Sequence, residues 1–199
     1  MRYALVFLAA IALTAPAGGG GKIRVDDLSH HPFVTNFPAG GQLNLSIRSA
    51  EIHIVGRDKD ELSVRVGGAD GSESTDVEAT FDRSGNSADL RVSGGPHSDV
   101  VITVEVPRNS NLVVHIPAGD VDVNGIVGNK EISMRAGDLK VAVGDPADYA
   151  LVKASVTSGD IEAAPFHESH GGLFRSFEKT GPGKYKLIVH LWAGDIVLK

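Results

Sequence analysis

The sequence repeats one ten-residue pattern five times, and this repetition constrains the fold more than any other feature. In each copy, two alternating apolar residues precede a corner dipeptide and two more follow it. The corner is Gly-Asp in four copies and Ala50-Glu51 in the degenerate first copy. The four Gly-Asp corners are Gly119-Asp120, Gly137-Asp138, Gly159-Asp160 and Gly194-Asp195. Because all twenty alternating positions are apolar, we expect them to face one shared core.

The spacing across each corner requires a bend. Successive side chains of a strand point to opposite faces, so residues that share a face are an even number of positions apart. The apolar positions nearest the corner lie three before and two after the glycine, which is an odd separation of five. A straight strand would therefore expose one of the two arms. Glycine takes positive φ at low cost and a following Asp bonds nearby backbone, so Gly-Asp suits this bend.

The distances between corners predict how the copies assemble. Gly119 and Gly137 are 18 residues apart and Gly137 and Gly159 are 22 apart, close to one coil of a β-solenoid. The interval of 35 residues before Gly194 predicts an inserted loop or an irregular coil. A β-sandwich of hairpins is the alternative, although hairpin proteins seldom repeat one corner dipeptide in one frame. We therefore expect an all-β, β-solenoid or β-helix-like fold, with the repeats at about residues 111–199.

The stretch between the first and second copies predicts a different arrangement of strands. Residues 57–111 carry alternating segments such as Leu62–Val66 and Val77–Phe81, separated by glycine-rich loops. Such alternation is typical of antiparallel strands with one face in water. The N-terminal half is therefore expected to be antiparallel β-structure that belongs to the same domain, residues 22–199.

The first residues have the organisation of a secretory signal peptide, residues 1–17. Arg2 gives a positive start, an apolar run follows from Ala4 to Leu13, and Ala15-Pro16-Ala17 resembles a cleavage site. The apolar run is too short to span a bilayer, and no later segment resembles a transmembrane helix. Residues 18–21 form a glycine leader. We expect an exported chain that is periplasmic, outer-surface or extracellular.

Charge and cysteine content narrow the partners further. The net charge of −6 makes nucleic acid and anionic lipid poor partners. The sequence has no cysteine, which excludes disulfides and a lipid-modified cysteine. The chain is thus expected to bind neither nucleic acid nor a membrane through its own helix.

The corner aspartates are the most conspicuous candidate for a ligand site. If the copies stack about 4.8 Å apart, neighbouring carboxylates repel one another, so they either cap the corner backbone or hold a cation. Calcium takes six to eight oxygens, whereas this pattern offers one carboxylate per copy. His167 and His170 have a spacing that could chelate a metal, but no further ligand pair accompanies them. We therefore interpret the eight corner residues as structural and expect no metal and no cofactor.

Several segments, in their order along the chain, resemble a known family. They are residues 37–45 (FPAGGQLNL), residues 52–58 (IHIVGRD), Val104–Pro107, Asn111–Val114 and the Gly-Asp corners. The chain resembles the bacterial exported domains called "putative adhesins", which have no characterised function and are related to the auto-transporter adhesin head domain. The likeness spans about residues 21–199.

The resemblance implies a right-handed β-solenoid-like fold, export, and a role in adhesion or in the cell envelope. The family offers no established catalytic residues to transfer to this chain. Some of its members are tethered by a transmembrane helix and linked to envelope-stress signalling, and this chain shows no such tether.

Together these features predict a non-catalytic binding or structural module whose partner is an unidentified surface or envelope component. One alternative is a polysaccharide-acting β-helix enzyme, which would need acidic groups and a basic proton acceptor on one face. Asp122, Lys140 and Glu162 fall at equivalent positions of three copies, where charge pairing between copies accounts for them as well. An envelope-stress accessory protein is the second alternative. Aromatic residues are few, which limits sugar stacking, and Trp192 is expected to cap the last coil.

Overall fold

Strands dominate the structure, a computed structural model that describes residues 21–68, 76–95 and 100–199. The expected signal peptide at residues 1–17 and residues 18–20 of the glycine leader lie outside the described residues. The described residues form sixteen strands and two short 3₁₀ helices, Pro146–Asp148 and Ala164–Phe166. The prediction of an all-β fold is confirmed.

The first eight strands are β1 (Lys22–Val25), β2 (Phe33–Asn36), β3 (Gln42–Ile47), β4 (Glu51–Arg57), β5 (Glu61–Gly68), β6 (Val77–Ser84), β7 (Ser87–Gly94) and β8 (Val100–Pro107). The other eight are β9 (Asn111–Ala118), β10 (Val121–Asn124), β11 (Lys130–Ala136), β12 (Leu139–Val141), β13 (Tyr149–Ala163), β14 (Glu168–Thr180), β15 (Tyr185–Ala193) and β16 (Ile196–Leu198).

All sixteen strands belong to one mixed sheet that folds back on itself at β13. The first part of β13 pairs with β15, and its last three residues, Ile161–Ala163, pair with β16. The strands before each corner, β3, β9, β11, β15 and the first part of β13, are called the first arm. The strands after each corner, β4, β10, β12, β16 and the end of β13, are called the second arm. The two arms enclose one continuous apolar core, and the sheet is nearly closed around it.

Parallel pairing aligns equivalent positions of the five copies. In the second arm, Val121 is opposite Ile52 on one side and opposite Leu139 on the other. Leu139 is opposite Ile196, which in turn is opposite Ile161. All twenty alternating apolar positions of the repeat are buried, none more than 3% exposed. The repeat therefore does supply one shared core, as its periodicity indicated.

The copies do not stack in chain order. In both arms the fifth copy, β15 and β16, lies between the third copy, β11 and β12, and the fourth, β13. In a simple solenoid each coil stacks on the coil before it. Here the long interval after Gly159, for which we expected an inserted loop or an irregular coil, forms β14, which pairs antiparallel along β13. The β-solenoid prediction is accordingly not confirmed, and the established description is a mixed all-β sheet.

The N-terminal half is antiparallel only in part. β1, β6 and β7 form antiparallel pairs, as do β2, β5 and β8. However, β7 is parallel to β3, and β8 is parallel to β4. β7 and β8 thus extend the two arms beyond the first copy, and the antiparallel strands cover that end of the sheet.

The corner glycines stack directly on one another. Gly119, Gly137, Gly159 and Gly194 have φ of 133°, 110°, 136° and 127°, values that side chains rarely allow. A Cβ at Gly137 would overlap the carbonyl oxygen of Gly119, and a Cβ at Gly194 would overlap that of Gly137. Ala50 is not among the residues with positive φ, which explains why alanine serves at the first corner. Glycine is therefore required for backbone conformation and also for close approach.

We predict that Gly137→Ala is strongly destabilising, because its methyl group meets the backbone of the neighbouring corner in addition to the strain of positive φ. The expected loss is at least about 3 kcal/mol, or about 6 °C or more in melting temperature. The matched control is Gly144→Ala, since Gly144 has φ of 77° but nothing within 4 Å of its Cβ position. The control is expected to lose only about 1 kcal/mol. Equal melting temperatures for the two variants would contradict the stacking of the corners.

Candidate functional site

The four corner aspartates form a ladder of hydrogen bonds along the edge where the arms meet. The Asp120 Oδ1 atom accepts the backbone N–H of Asp138 at 3.3 Å, and Asp138 Oδ1 accepts that of Asp195 at 3.2 Å. Asp195 Oδ1 accepts the N–H of Asp160 at 2.9 Å. Asp160 Oδ1 accepts the N–H of Gly172 at 3.3 Å, which ties β14 to the ladder. Each carboxylate thus serves the backbone of the next corner.

The structure therefore brings all eight predicted corner residues together in one column. A carboxylate that accepts a backbone N–H makes a charge-assisted hydrogen bond, which offsets the repulsion between neighbouring carboxylates. Within the described ranges, no group of three or more acidic, His or Cys side chains is placed to hold a metal ion. The arrangement of these oxygens is that of a structural cap.

A second ladder, which the sequence analysis missed, runs along the opposite ends of the first-arm strands. The Asn111 Oδ1 atom accepts the Asn129 backbone N–H at 3.0 Å and the Asn129 side-chain amide at 2.9 Å. Asn129 Oδ1 accepts the N–H of Lys186 at 2.8 Å, and Asn111 Nδ2 donates to the carbonyl of Gly40 at 3.3 Å. Asparagine can serve both as donor and as acceptor, which suits a position between two rungs.

Lys130 is a buried cation at a position that is otherwise apolar. Its neighbours in the first arm are Leu112 and Leu187, and Lys130 itself is only 1% exposed. The Lys130 Nζ atom donates to the Tyr149 hydroxyl at 2.7 Å and to the carbonyls of Ile126 and Gly128 at 2.9 and 3.3 Å. Lys130 lies seven residues before the corner Gly137. A comparison of the copies that extended two residues further from the corner would therefore have shown a lysine where the other copies have an apolar residue.

Burial shifts the titration of both members of this pair. Loss of hydration lowers the pKa of Lys130 from 10.5 to about 8, and the charge of Asp148 opposes part of that shift. Burial also raises the pKa of Tyr149 from 10.0 to about 12, with Asp148 adding to it. The Tyr149 hydroxyl donates to the carbonyl of Val143 at 3.0 Å. Because all three ammonium donors are engaged by the protein, Lys130 fastens the loop between β10 and β11 to Tyr149 at the start of β13 and is closed to a ligand.

The outer face of the first arm carries a polar row across five neighbouring strands. We call it the serine–histidine row, and its members in spatial order are Ser46, His115, Ser133, His190 and Ser155. His115 and His190 are exposed, and Ser155 Oγ lies 2.9 Å from His190 Nδ1. The periodicity predicts that His115 and His190 point outward, as the structure has them.

Two exposed aromatic residues, Trp192 on β15 and Phe174 on β14, lie in the next row of strand positions, and Phe174 has a positive φ of 53°. Trp192 is 62% exposed and Phe174 is 80% exposed. Arg135 lies opposite Trp192 on one side, since their neighbours in sequence are paired, and Thr157 lies opposite Trp192 on the other side. By the same argument Phe174 lies opposite Thr157. We call Arg135, Trp192, Thr157 and Phe174 the aromatic row. Trp192 does not cap the end of the sheet, contrary to our expectation.

The outer face of the second arm carries charged side chains of both signs, some of which lie next to one another. Asp122 is opposite Lys140, as the repeat predicts, and its Oδ2 atom also lies 3.5 Å from Lys199 Nζ. Val197 separates Lys140 from Glu162, because the fifth copy lies between the third and fourth. The three residues considered for an enzyme therefore share a row without forming one cluster.

Two cavities among the described residues are open to solvent. One, of about 470 Å³, is lined by Asn111, Tyr185 and six other residues near the asparagine ladder. The other, of about 370 Å³, contains Arg57, Arg65 and Glu105. Arg57 and Arg65 lie 2.7 and 3.0 Å from Glu105, and the Arg57 hydrogen bond lowers the pKa of Glu105 below its usual range. Neither cavity is enclosed, so the outer face of the first arm is the better candidate site.

Among the residues that the structure describes, no helix has both the length and the apolar composition needed to cross a bilayer.

Comparison with known proteins relates the fold to one solved structure. No protein-family model and no curated protein matches the chain. The fold is similar to the crystal structure of a "putative cell adhesion protein" from Clostridium sporogenes ATCC 15579, with a TM-score of 0.50 and 13% sequence identity. The match covers 84% of this chain and 98% of that chain. At this identity the likeness shows a shared fold, which is compatible with the family resemblance of the sequence.

The ladder predicts different outcomes for two substitutions at Asp138. Asp138→Asn keeps a side-chain oxygen for the Asp195 N–H and removes charge repulsion, so stability should change by less than about 0.5 kcal/mol. Asp138→Ala leaves that N–H without its partner and should cost about 1 kcal/mol, or about 2–4 °C in melting temperature. Calorimetry of both variants measures the difference. Equal losses in the two variants would mean that the acceptor oxygen does not matter.

From the lowered pKa of Lys130 we predict that the free energy of unfolding rises with pH above pH 8. Between pH 8 and 10.5 the unfolded chain holds one more proton than the folded chain, because the pKa of Lys130 is lowered from 10.5 to about 8 by folding. Its contribution to the free energy of unfolding therefore rises with pH in this window, by about 3 kcal/mol. Above pH 10 Tyr149 acts oppositely, since its pKa is raised to about 12 and the unfolded chain loses that proton first.

Urea unfolding of wild type and Lys130→Met, measured from pH 7 to 11, tests this expectation. The stability of wild type relative to Lys130→Met should rise from pH 8 to about pH 10.5 and then level off, because both proteins keep Tyr149. Each of the two proteins should lose stability above pH 10 as Tyr149 titrates in the unfolded chain, and the Tyr149→Phe variant should lack that loss. Parallel pH profiles for wild type and Lys130→Met would show that Lys130 titrates alike in both states.

Proposed function

We propose that this chain is an exported, adhesin-like binding module without catalytic activity. It contacts a surface or envelope component through the outer face of its first arm. The observation that carries the proposal is the aromatic row, where Trp192 is 62% exposed and Phe174, two strands away, is 80% exposed. Large aromatic side chains are enriched where proteins bind, because they give much contact area at small entropic cost.

The scaffold suits such a role because it holds this face rigidly. Trp192 lies on β15, which has paired neighbours on both sides. The corner glycines and the two ladders fix the strands in register at both ends. We propose that the five copies act as a solenoid-like module, with the fifth copy inserted between the third and fourth. Residues on rigid strands present a binding surface more accurately than residues on loops.

The adhesin-like role and the location have separate support. The solved structure of similar fold is described as a "putative cell adhesion protein", which favours adhesion as the kind of binding. Residues 1–17 have the composition of a secretory signal peptide, which favours export to the envelope or beyond. An accessory role in envelope stress or a polysaccharide-acting enzyme would use the same compartment, but no feature of the described residues favours either.

The absence of catalysis is argued from the hydrogen-bonded serine–histidine pair that the described residues place on this face. Ser155 Oγ is within hydrogen-bond reach of His190 Nδ1, at 2.9 Å. However, Ser155 lies in the middle of β13, whose residue partners are His190 on one side and Ser176 on the other. The backbone N–H groups here belong to the sheet ladder, so they are not free to stabilise an oxyanion. The pair therefore orders the surface instead of cleaving a substrate.

The proposal predicts that binding depends on the aromatic row. Purified protein is incubated with isolated bacterial envelope fractions, and the bound fraction is measured after sedimentation. We expect wild type to sediment with the envelopes and the Trp192→Ala, Phe174→Ala double variant to bind at least about tenfold more weakly.

The matched control is Val34→Ala, which removes an apolar side chain that is 50% exposed on β2, away from the first arm. It should bind like wild type. Circular dichroism verifies that all variants are folded, which is expected because the altered side chains are exposed. Envelope binding that is absent, or equal in wild type and the double variant, would overturn the proposal.

A further inference from the structure

We infer that the aromatic row is a binding site for a neutral oligosaccharide. This inference rests on the proposed function and specifies its ligand. The site contains Trp192 and Phe174, with Thr157 between them and Arg135 beyond Trp192. A sugar ring has one apolar C–H face and a rim of hydroxyl groups, so it requires an aromatic platform surrounded by donors and acceptors.

Hydrogen-bond donors lie on both sides of the Trp192 ring. Arg135 is exposed on the neighbouring strand, one strand spacing or about 4.8 Å away along the row. Its guanidinium forms no ion pair with any residue that the structure describes, so its five N–H donors remain available. Thr157, on the other neighbouring strand, adds a hydroxyl that can donate or accept. His190 lies two residues before Trp192 on the same face and extends the polar surface.

Acceptors come from the adjacent corner. Asp195 follows Trp192 by three residues, so the two Cα atoms are at most about 10 Å apart. Asp138 and Asp195 are exposed, and each uses its Oδ1 atom in the corner ladder. Their carboxylates can still accept hydrogen bonds from ligand hydroxyls. Donors and acceptors are thus combined around one ring.

The charge of the surroundings selects a neutral ligand. The column of corner aspartates lies directly beside the aromatic row, and the chain has a net charge of −6. An acidic polysaccharide would be repelled by this column, and Arg135 alone compensates only one charge. A neutral saccharide meets no such repulsion and uses both kinds of group.

The separation of the Trp192 and Phe174 rings favours an oligosaccharide over a single sugar unit. Trp192 and Phe174 are two strand spacings apart, or about 10 Å. Two rings at this distance, divided by a threonine, do not form the continuous apolar centre that a stable protein interface requires. They can instead support two separate units of one oligosaccharide.

Trp192 is the single tryptophan of the sequence, so intrinsic tryptophan fluorescence reports directly on this site. The probes are hexasaccharides and disaccharides of glucose, galactose, mannose and N-acetylglucosamine, together with hexagalacturonate. We expect at least one neutral hexasaccharide to change the emission saturably, with Kd of about 0.1–1 mM. The corresponding disaccharide should bind at least tenfold more weakly, and hexagalacturonate should bind more weakly than the neutral ligand.

Three variants of the aromatic row and one control variant then locate the contacts. Arg135→Gln should weaken hexasaccharide binding at least fivefold, and Phe174→Ala should reduce the affinity toward that of the disaccharide. Arg65→Gln is the control, because Arg65 is ion-paired to Glu105 on β8 in the other part of the sheet. It should leave the affinity unchanged. Calorimetric titration of Trp192→Ala should detect no binding.

The inference is overturned if no neutral saccharide changes the emission, if hexagalacturonate binds best, or if Arg135→Gln and Phe174→Ala bind like wild type. Envelope binding that still depends on Trp192 and Phe174 in that case would leave the proposed function standing with a ligand of another class, such as a protein. If the wild-type protein bound neither a saccharide nor the envelopes, both the inference and the proposed function would be overturned.

Discussion

Close contact between the backbones of successive corners is the constraint on which the rest of the structure depends. Each of the corner glycines from Gly119 to Gly194 approaches a neighbouring carbonyl so closely that no side chain fits between them. This contact holds the two arms in register, and register decides which side chains face the core. This register buries all twenty apolar positions of the repeat and leaves the aromatic row on the outside of the sheet.

The polar groups near the corners solve the problem that this stacking creates. Stacking identical corners places like-charged carboxylates next to one another. The hydrogen bonds of the ladder offset this repulsion, because each Asp carboxylate accepts the N–H of the next corner. Lys130 solves a different problem at the far end of the first arm, where the loop between β10 and β11 turns the carbonyls of Ile126 and Gly128 toward the core. The buried ammonium donates to both carbonyls and to the Tyr149 hydroxyl, and loss of hydration lowers its pKa.

Much of the fold could be predicted from the sequence, because periodicity reports directly on burial. The alternating positions, the bend at each corner and the outward direction of His115 and His190 all follow from parity. The order of the copies could not be predicted. Their edges present nearly the same pattern to one another, so the sequence does not determine whether β11 pairs with β13 or with β15. The outward direction of Trp192 follows from the same parity, because it lies two residues after His190. The exposure of Phe174 could not be predicted, because Phe174 lies on β14, outside the repeat.

The position of the fifth copy has a consequence for how the chain acquires its structure. β15 and β16, residues 185–198, separate β13 from β11 and β12, so β13 can join the sheet only after these later strands have formed. Repeat proteins usually grow by adding neighbours one at a time, with mostly local contacts. In this molecule a later copy instead occupies the place between two earlier ones, so closure of the sheet should be a late and cooperative step of folding. A chain synthesised N-terminus first would thus lack the link between β11 and β13 until residues 185–198 have been made.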